Sequence, residues 1–343
     1  MSQFTITSAL RPLAVAVTVF GTMMLTSGYA AGEDLPGKGV TVKPMYNGIA
    51  EELFESYMVK LGLEDLGYTV EEPAQSQVAV AHVAVANGDA DYYTPHWYPL
   101  HTAFANQAGG DDAKAHRVGT LAKNSIQGYS IDKATVDKYG IKSIDQLKDP
   151  KIAKLFDIDG DGKADLYGCE PGWGCERIIE HQLDAYGLRD TVTHNQGEYF
   201  ALIADAIERV KEGKPVLYYG WTPTWINGIL RHGENVSWLT VPFTALPEEQ
   251  AGADTTVPGI GNLGFTVNTH HVFANTAFLE KNPVANKWFE QVQIPIEDID
   301  SENLLIHKGE KSNDDIRRHA EDWKKAHLDE WNKWIAQAKL AGK

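Results

Sequence analysis

The first third of the chain alternates short apolar stretches with longer helical ones, and this alternation constrains the fold more than any other feature. Apolar residues that recur at every second position favour strands, and those at helical spacing favour helices. The pattern predicts strand, helix, strand, helix and strand, in that order, over residues 39–44, 50–63, 68–71, 76–87 and 89–94. This order is typical of a parallel sheet with helices on its faces, so we expect an α/β fold.

The remaining two thirds continue the mixed pattern. The chain leaves the first unit around residues 127–133, and further strands are predicted at 216–220, 236–241 and, as a return strand, 264–267. Further helices are predicted at 176–186, 199–211, 284–292 and 315–341. Trp323, Trp331 and Trp334 recur at helical spacing in the last of these, which indicates packing residues.

The N-terminal 30 residues have the pattern of a secretory signal peptide. Arg11 is their only charge, an apolar run covers residues 13–25, and small residues surround a cleavage site after Ala30. The apolar run is short for a transmembrane anchor. We therefore expect an exported protein, and the chain that remains after cleavage is long enough for two domains.

Charge and motifs argue against several classes of function. The formal net charge is −16 at pH 7, which disfavours nucleic acid and anionic lipid as partners. The sequence contains neither Gly-x-Ser-x-Gly nor His-Glu-x-x-His. The glycine spacing at 259–264 matches a dinucleotide motif, but no helical pattern follows it. We expect a protein that is not an enzyme and needs no cofactor.

The only two cysteines, Cys169 and Cys175, enclose a Pro-Gly turn and Trp173. In an oxidising compartment such a pair should form a disulfide, and a loop this small gains mainly local rigidity from it. Fixed amides at Gly174 and Cys175 can bind an anion, and an indole face attracts a cation. The alternative is a disulfide that only stabilises a surface loop beside a buried tryptophan.

Three tryptophans lie in turns or after strands rather than in helices: Trp97, Trp173 and Trp221. In open parallel sheets ligands bind beyond the carboxyl ends of the strands. Several indoles around one point suit a quaternary ammonium group, which cannot donate a hydrogen bond. His101 follows Trp97 by four residues and can donate to a carboxylate on the same side; the alternative is an exposed or core histidine.

In the segment 157–165, aspartates stand at every second position from Asp157 to Asp161, and a glycine follows at the expected tight turn. Calcium loops have the same pattern. The twelfth position counted from Asp157 is Gly168 rather than the usual glutamate. Two interpretations remain open: a structural calcium site, and an Asp/Gly turn whose side chains cap their own backbone. We predict no metal.

Longer strings resemble the periplasmic glycine betaine/proline betaine-binding proteins of ProU-type ABC importers. The likeness covers essentially the whole chain after the signal peptide. The strings that carry it are Asp34-Leu-Pro-Gly-Lys-Gly-Val-Thr-Val, Gln146-Leu-Lys-Asp-Pro-Lys-Ile-Ala-Lys-Leu-Phe-Asp157, Gly160-Asp-Gly-Lys-Ala-Asp-Leu166, Pro171-Gly-Trp-Gly-Cys-Glu176 and Thr193-His-Asn-Gln-Gly197.

The resemblance implies a site, a fold and a partner. In that family three tryptophans enclose the trimethylammonium group, while one histidine and two loop amides bind the carboxylate. The matching residues here are Trp97, Trp173, Trp221, His101, Gly174 and Cys175. The implied fold has two α/β lobes, each a mostly parallel sheet flanked by helices, joined by a two-strand hinge. The implied protein is a monomer in the periplasm that meets an inner-membrane ABC permease.

These observations give one expected organisation and one expected function. We expect a signal peptide at 1–30, one lobe formed by 31–131 plus 266–343, and a second lobe at 132–265. The expected function is capture of glycine betaine or proline betaine for import. The alternatives are a binding protein for choline or carnitine and, more remotely, a secreted hydrolase with an acid pair from 157–165.

Overall fold

The computed structural model describes residues 35–109 and 113–342, so the predicted signal peptide lies outside the described residues. Among the described helices, none combines the length and the apolar character that crossing a bilayer would require.

Fourteen strands lie in the described part of the chain. They are β1 (Thr41–Val42), β2 (Pro44–Tyr46), β3 (Thr69–Val70), β4 (Ala74–Gln75), β5 (Tyr92–Tyr98), β6 (Ala115–Ser125), β7 (Gln127–Asp132), β8 (Ala164–Tyr167), β9 (Val192–Asn195), β10 (Leu217–Trp221), β11 (Val236–Leu239), β12 (Thr256–Val257), β13 (Gly261–Asn262) and β14 (Asn268–Asn275).

Twelve α-helices accompany them in the described residues. They are α1 (Ala50–Asp65), α2 (Val78–Asn87), α3 (Thr102–Gln107), α4 (Lys133–Tyr139), α5 (Pro150–Ala153), α6 (Gly174–Ala185), α7 (Tyr199–Lys211), α8 (Thr276–Lys281), α9 (Pro283–Gln291), α10 (Ile296–His307), α11 (Asn313–Ala326) and α12 (Leu328–Leu340). Short 3₁₀ turns lie at 144–148, 154–156, 225–228 and 248–250.

Two five-stranded sheets organise these elements. The first has the order β4-β2-β5-β14-β6 and the second the order β11-β7-β10-β8-β9. In the first sheet only β14 runs against the other strands, and in the second only β7 does. Each sheet has its own buried apolar core. The predicted two-lobed α/β fold with mostly parallel sheets is therefore confirmed.

The chain passes between the two sheets twice. It crosses from β6 to β7 at Ile126 and returns to the first sheet before β14. The backbone N–H of Thr222 donates to the carbonyl oxygen of Ile126, which ties the first crossing to the end of β10. The lobe limits at 131/132 and 265/266 stay a prediction. Because β7 pairs with β10 from Gln127 onward, the strand register favours moving the first limit to Ile126.

The C-terminal helices return to the first lobe, where tryptophans attach them to α1. Trp288 and Trp331 are fully buried, and Trp334 belongs to the same core. The indole N–H of Trp288 donates to the carbonyl oxygen of Val59 over 2.9 Å, and that of Trp331 donates to Asp65 over 2.7 Å. The predicted packing role of the last tryptophans is confirmed.

Four element predictions were wrong in their limits. The strand expected at 89–94 is β5 at 92–98, so Trp97 lies within the strand rather than after it. The helix expected at 315–341 is two helices, because His327 leaves helical geometry (φ −115°, ψ 31°). The return strand lies at 268–275 rather than 264–267, since Gly264 takes a positive φ and its carbonyl oxygen accepts from the side chain of Gln182. The expected first strand is divided between β1 and β2, which pair with different partners.

Candidate functional site: a cavity between the lobes

A cavity of about 350 Å³, counting its open part, lies between the two lobes. All six residues predicted for the site line it, together with seven others from both lobes. The lining residues are Asn47, Ile49, Glu52, Val78, Trp97, Leu100, His101, Gln127, Trp173, Gly174, Cys175, Tyr219 and Trp221.

Trp97 supplies the aromatic wall on the side of the first lobe. It lies near the end of β5 and is buried. Its indole N–H donates to Oε1 of Glu52 over 3.0 Å, and its ring packs 4.1 Å from that of His270. Two partners on different elements therefore fix the orientation of the Trp97 ring.

Trp173 and Trp221 supply the aromatic wall on the side of the second lobe. Trp221 ends β10 and packs against Tyr199 with a centroid distance of 4.5 Å. The rings of Trp173 and Trp221 meet edge to face at 5.7 Å and 76°. Indoles from both lobes thus line one cavity, an arrangement that suits a cation without hydrogen-bond donors.

The cysteine loop places the start of α6 at this cavity. Cys169 and Cys175 form a disulfide with a Cα–Cα distance of 5.9 Å, which confirms the predicted pair. Trp173 precedes α6 in an extended conformation, so Gly174 and Cys175 contribute the first amides of the helix. Such amides have no partner within the helix and carry partial positive charge, so they can bind an anion. Because the loop lines the cavity, the structure favours a role in anion binding over a disulfide that only stabilises a surface loop.

His101 is buried beside Trp97 and is held as a neutral donor. Its Nδ1 accepts a hydrogen bond from the backbone N–H of Trp97 over 3.2 Å, so the ring proton is on Nε2. Burial first, then the neighbouring rings of His82 and His270, lowers the pKa of His101 well below its usual range. Nε2–H is therefore available to a carboxylate without any charge on the ring.

A cluster of three buried histidines stands behind this residue. The ring nitrogens of His82, His96 and His101 lie within 4.8 Å of one another, close enough to suggest a metal centre. However, Nδ1 of His82 donates to the carbonyl oxygen of Val78 over 2.7 Å, and its Nε2 accepts from Nδ1 of His96 over 2.8 Å. Neutral hydrogen bonds thus join His82 to its own helix and to His96, while Nε2 of His96 is buried without a partner among the described residues.

Glu52 and Gln127 are among the polar lining residues of the cavity that sequence reasoning missed. Glu52 looked like an ordinary acidic residue in the first turn of a helix, where carboxylates are common. Gln127 lies on a strand that was not predicted. Its Oε1 accepts from the hydroxyl of Tyr219 over 2.6 Å, and its Nε2 is buried without a partner in the described chain. Neither residue stands out in its element, because α1 contains several other acids and β7 contains other polar residues.

The acidic loop of the second lobe caps its own backbone. Asp157 accepts from the amides of Gly160 and Gly162, and Asp165 accepts from the amide of Ile158. Oxygens of Asp157, Asp159 and Asp165 also lie within 4.8 Å of one another. The backbone hydrogen bonds match the Asp/Gly-turn interpretation, and these acids do not line the cavity described above.

The lobes touch beside the cavity through Glu51 of α1. Its Oε1 accepts from the hydroxyl of Thr224 and from the backbone N–H of Trp225, both over 2.8 Å. The Trp225 ring also stacks on His307 of α10 at 4.9 Å. Burial is the main reason why the pKa of Glu51 is raised to about 7. The two lobes are thus held together around the cavity by specific polar contacts.

The two sheets, the double crossing and the cavity between the lobes define a substrate-binding protein of the two-lobed class. Residues 40–326 match the family model described as the substrate binding domain of ABC-type glycine betaine transport systems. The chain belongs to this family.

Curated relatives and a solved structure agree with this assignment. The chain is 50% identical over 326 residues to the glycine betaine/proline betaine-binding periplasmic protein of Escherichia coli (strain K12), covering 95% of this chain and 98% of that one. It is 49% identical over 322 residues to the glycine betaine-binding periplasmic protein OusX of Dickeya dadantii, covering 94% and 97%. The fold is similar to lactococcal OpuAC in its closed-liganded conformation with glycine betaine, with TM-score 0.64, 21% identity and coverage of 86% and 99%.

Proposed function

We propose that this protein is the periplasmic substrate-binding component of an ABC importer, and that it captures glycine betaine and proline betaine for an inner-membrane permease. The observation that carries the proposal is the convergence of Trp97, Trp173 and Trp221 on one cavity. The names of the close relatives support the same ligands and the same compartment.

The cation end of the ligand lies between the three indoles. A trimethylammonium group has no N–H, so only the attraction of aromatic faces and a matching shape can hold it. Each desolvated face contributes about 0.5–2 kcal/mol. The rings have rigid supports, since Trp97 bonds to Glu52 and Trp221 packs on Tyr199. Little ordering is therefore needed when the ligand enters.

The carboxylate end lies at the start of α6. The amides of Gly174 and Cys175 and the Nε2–H of His101 are three donors that line the same cavity. Hydrogen bonds to a charged acceptor are about twice as strong as neutral ones. Three aromatic faces and this clamp are together sufficient for roughly micromolar affinity, about −8 kcal/mol.

Closure of the lobes around the ligand is the proposed mechanism of delivery. The site residues come from both lobes, so only a closed arrangement presents all of them to one ligand. The ligand shifts the population toward that arrangement, which the permease then recognises. One chain supplies the whole site, so we infer that the protein acts as a monomer. We also infer that it catalyses no reaction, because the mechanism needs only binding and release.

The role proposed for His101 separates betaines from choline. His101→Ala should weaken glycine betaine binding about tenfold, because one charge-assisted hydrogen bond is lost. Choline has no carboxylate, so its affinity should hardly change. Calorimetric titration of both ligands into both proteins measures this. If the substitution leaves the affinity for the best ligand intact, choline or a similar amine is the true ligand.

The test of the function itself is a titration of the natural protein. Glycine betaine, proline betaine, choline and carnitine are titrated separately, with heat and tryptophan fluorescence as signals. We expect saturable binding of the two betaines and weaker binding of choline. A protein that shows no saturable change up to millimolar betaine would not have this function.

A further inference from the structure

Glu52 places a buried carboxyl in the wall of the cavity. The side chain is only 6% exposed. One oxygen, Oε1, accepts from the indole N–H of Trp97 over 3.0 Å. The other, Oε2, is buried without a hydrogen-bond partner of good geometry among the described residues. A buried acceptor without a partner is costly, so its place beside a ligand site calls for an explanation.

Oε2 of Glu51 is also buried without a hydrogen-bond partner among the described residues, but neither Glu51 nor Glu55 lines the cavity. Glu55 accepts from the ring of His270 over 2.9 Å, and Glu51 holds the second lobe through Thr224 and Trp225. For Glu52, burial first and then Glu55 raise the pKa well above the usual range of a carboxyl, whereas hydrogen bonds from the side chains of Trp97 and, to a smaller extent, Asn47 lower it. This raised pKa favours the protonated, neutral carboxyl, and a cation beside Glu52 would favour its ionised form.

The cavity itself offers no such charge. Its lining contains no lysine or arginine among the described residues. A cation must come from the ligand, and an anion in a site of low dielectric attracts it more strongly than it would in water. The hydrogen bond from Trp97 adds to this effect, because an indole that donates to a carboxylate becomes more electron-rich on its face.

We propose that Glu52 provides the counter-charge for the quaternary ammonium group and thereby selects cationic ligands over neutral ligands of the same shape. This inference rests on the proposed function and deepens it. The rival explanation is that Glu52 only positions Trp97 through its indole N–H. In that case any hydrogen-bond acceptor of the same size at position 52 would support ligand binding equally well. A substitution there would then not change the preference for a charged ligand.

A pair of matched ligands separates the two explanations. Glycine betaine and 3,3-dimethylbutyrate share the carboxylate and the branched shape, but the second has a carbon in place of the charged nitrogen. The ratio of their dissociation constants measures the preference for charge. This ratio is measured by calorimetry for the natural protein and for each variant, with the melting temperature as a check on folding.

Glu52→Gln keeps an acceptor oxygen for Trp97 and removes the charge, so the ratio should fall by about tenfold. Glu52→Asp keeps the charge and should retain most of the ratio. Glu302→Gln is the control, because Glu302 is another buried acid of the first lobe, bonded to His319 over 2.7 Å outside this cavity. It should leave the ratio unchanged.

The outcomes are distinguishable. If Glu52→Gln weakens both ligands equally or leaves both unchanged, the counter-charge role is wrong. Should that variant fail to fold, Glu52→Met, which also removes the charge, is measured instead with the same expected fall. A natural protein that binds neither ligand would contradict the proposed function rather than this inference alone.

Discussion

Trp173→Ala is expected to weaken glycine betaine binding about a hundredfold, because it removes one aromatic face and the apolar contact with the ligand methyl groups. Trp173 lies in a loop closed by the disulfide and is only partly buried. Its loss should therefore affect the site more than the stability of the lobe. Calorimetry gives the dissociation constant, and thermal unfolding checks the fold.

Trp238→Ala is the matched control for this substitution. Trp238 is a partly buried tryptophan of the same lobe, and it stacks on His232 at 3.8 Å without lining the cavity. Removing it should leave the affinity for glycine betaine unchanged. A change of less than about threefold for Trp173→Ala would mean that this indole does not enclose the cation.

Gly174→Ala is expected to oppose closure and to cost at least about a hundredfold in affinity. A Cβ at Gly174 would lie 2.7 Å from Cγ and 2.9 Å from the carbonyl oxygen of Leu100. Leu100 belongs to the opposite lobe, and its backbone cannot yield as a flexible side chain can. The second lobe should still fold, because Gly174 does not need a positive φ.

Small-angle scattering and calorimetry measure this effect together. With saturating betaine the natural protein should become more compact, whereas Gly174→Ala should stay extended. Gly197→Ala is the control, since a Cβ there meets only Leu202 at an ordinary 3.7 Å. Normal affinity and normal compaction of Gly174→Ala would show that the lobes do not approach each other at this point.

The sequence predicts which residues line the cavity better than it predicts the limits of the elements. Trp97 lies near the end of β5 and Trp221 ends β10, and each of these strands pairs in parallel with a neighbour. A ligand is expected beyond the carboxyl ends of such strands. Trp173 could be placed because two cysteines fix its loop. These signals are local, so an error of a few residues in the limits of an element does not change the prediction.

Tertiary context decided what the sequence could not predict. Glu52 is a functional candidate only because β5 brings Trp97 to its carboxyl, and no spacing along the chain reveals that contact. The proton on Nε2 of His101 depends on the backbone N–H of Trp97. Likewise, no proline or glycine at His327 predicts the break between α11 and α12. The histidine ring instead packs 3.9 Å from that of Trp323.

A crystal structure of the complex with glycine betaine tests the central claim most directly. The trimethylammonium group should lie within about 6 Å of the ring centroids of Trp97, Trp173 and Trp221. The carboxylate oxygens should lie about 2.7–3.1 Å from the amides at the start of α6 and from Nε2 of His101. A ligand bound outside this cavity, or one whose carboxylate faces the three indoles, would contradict the account.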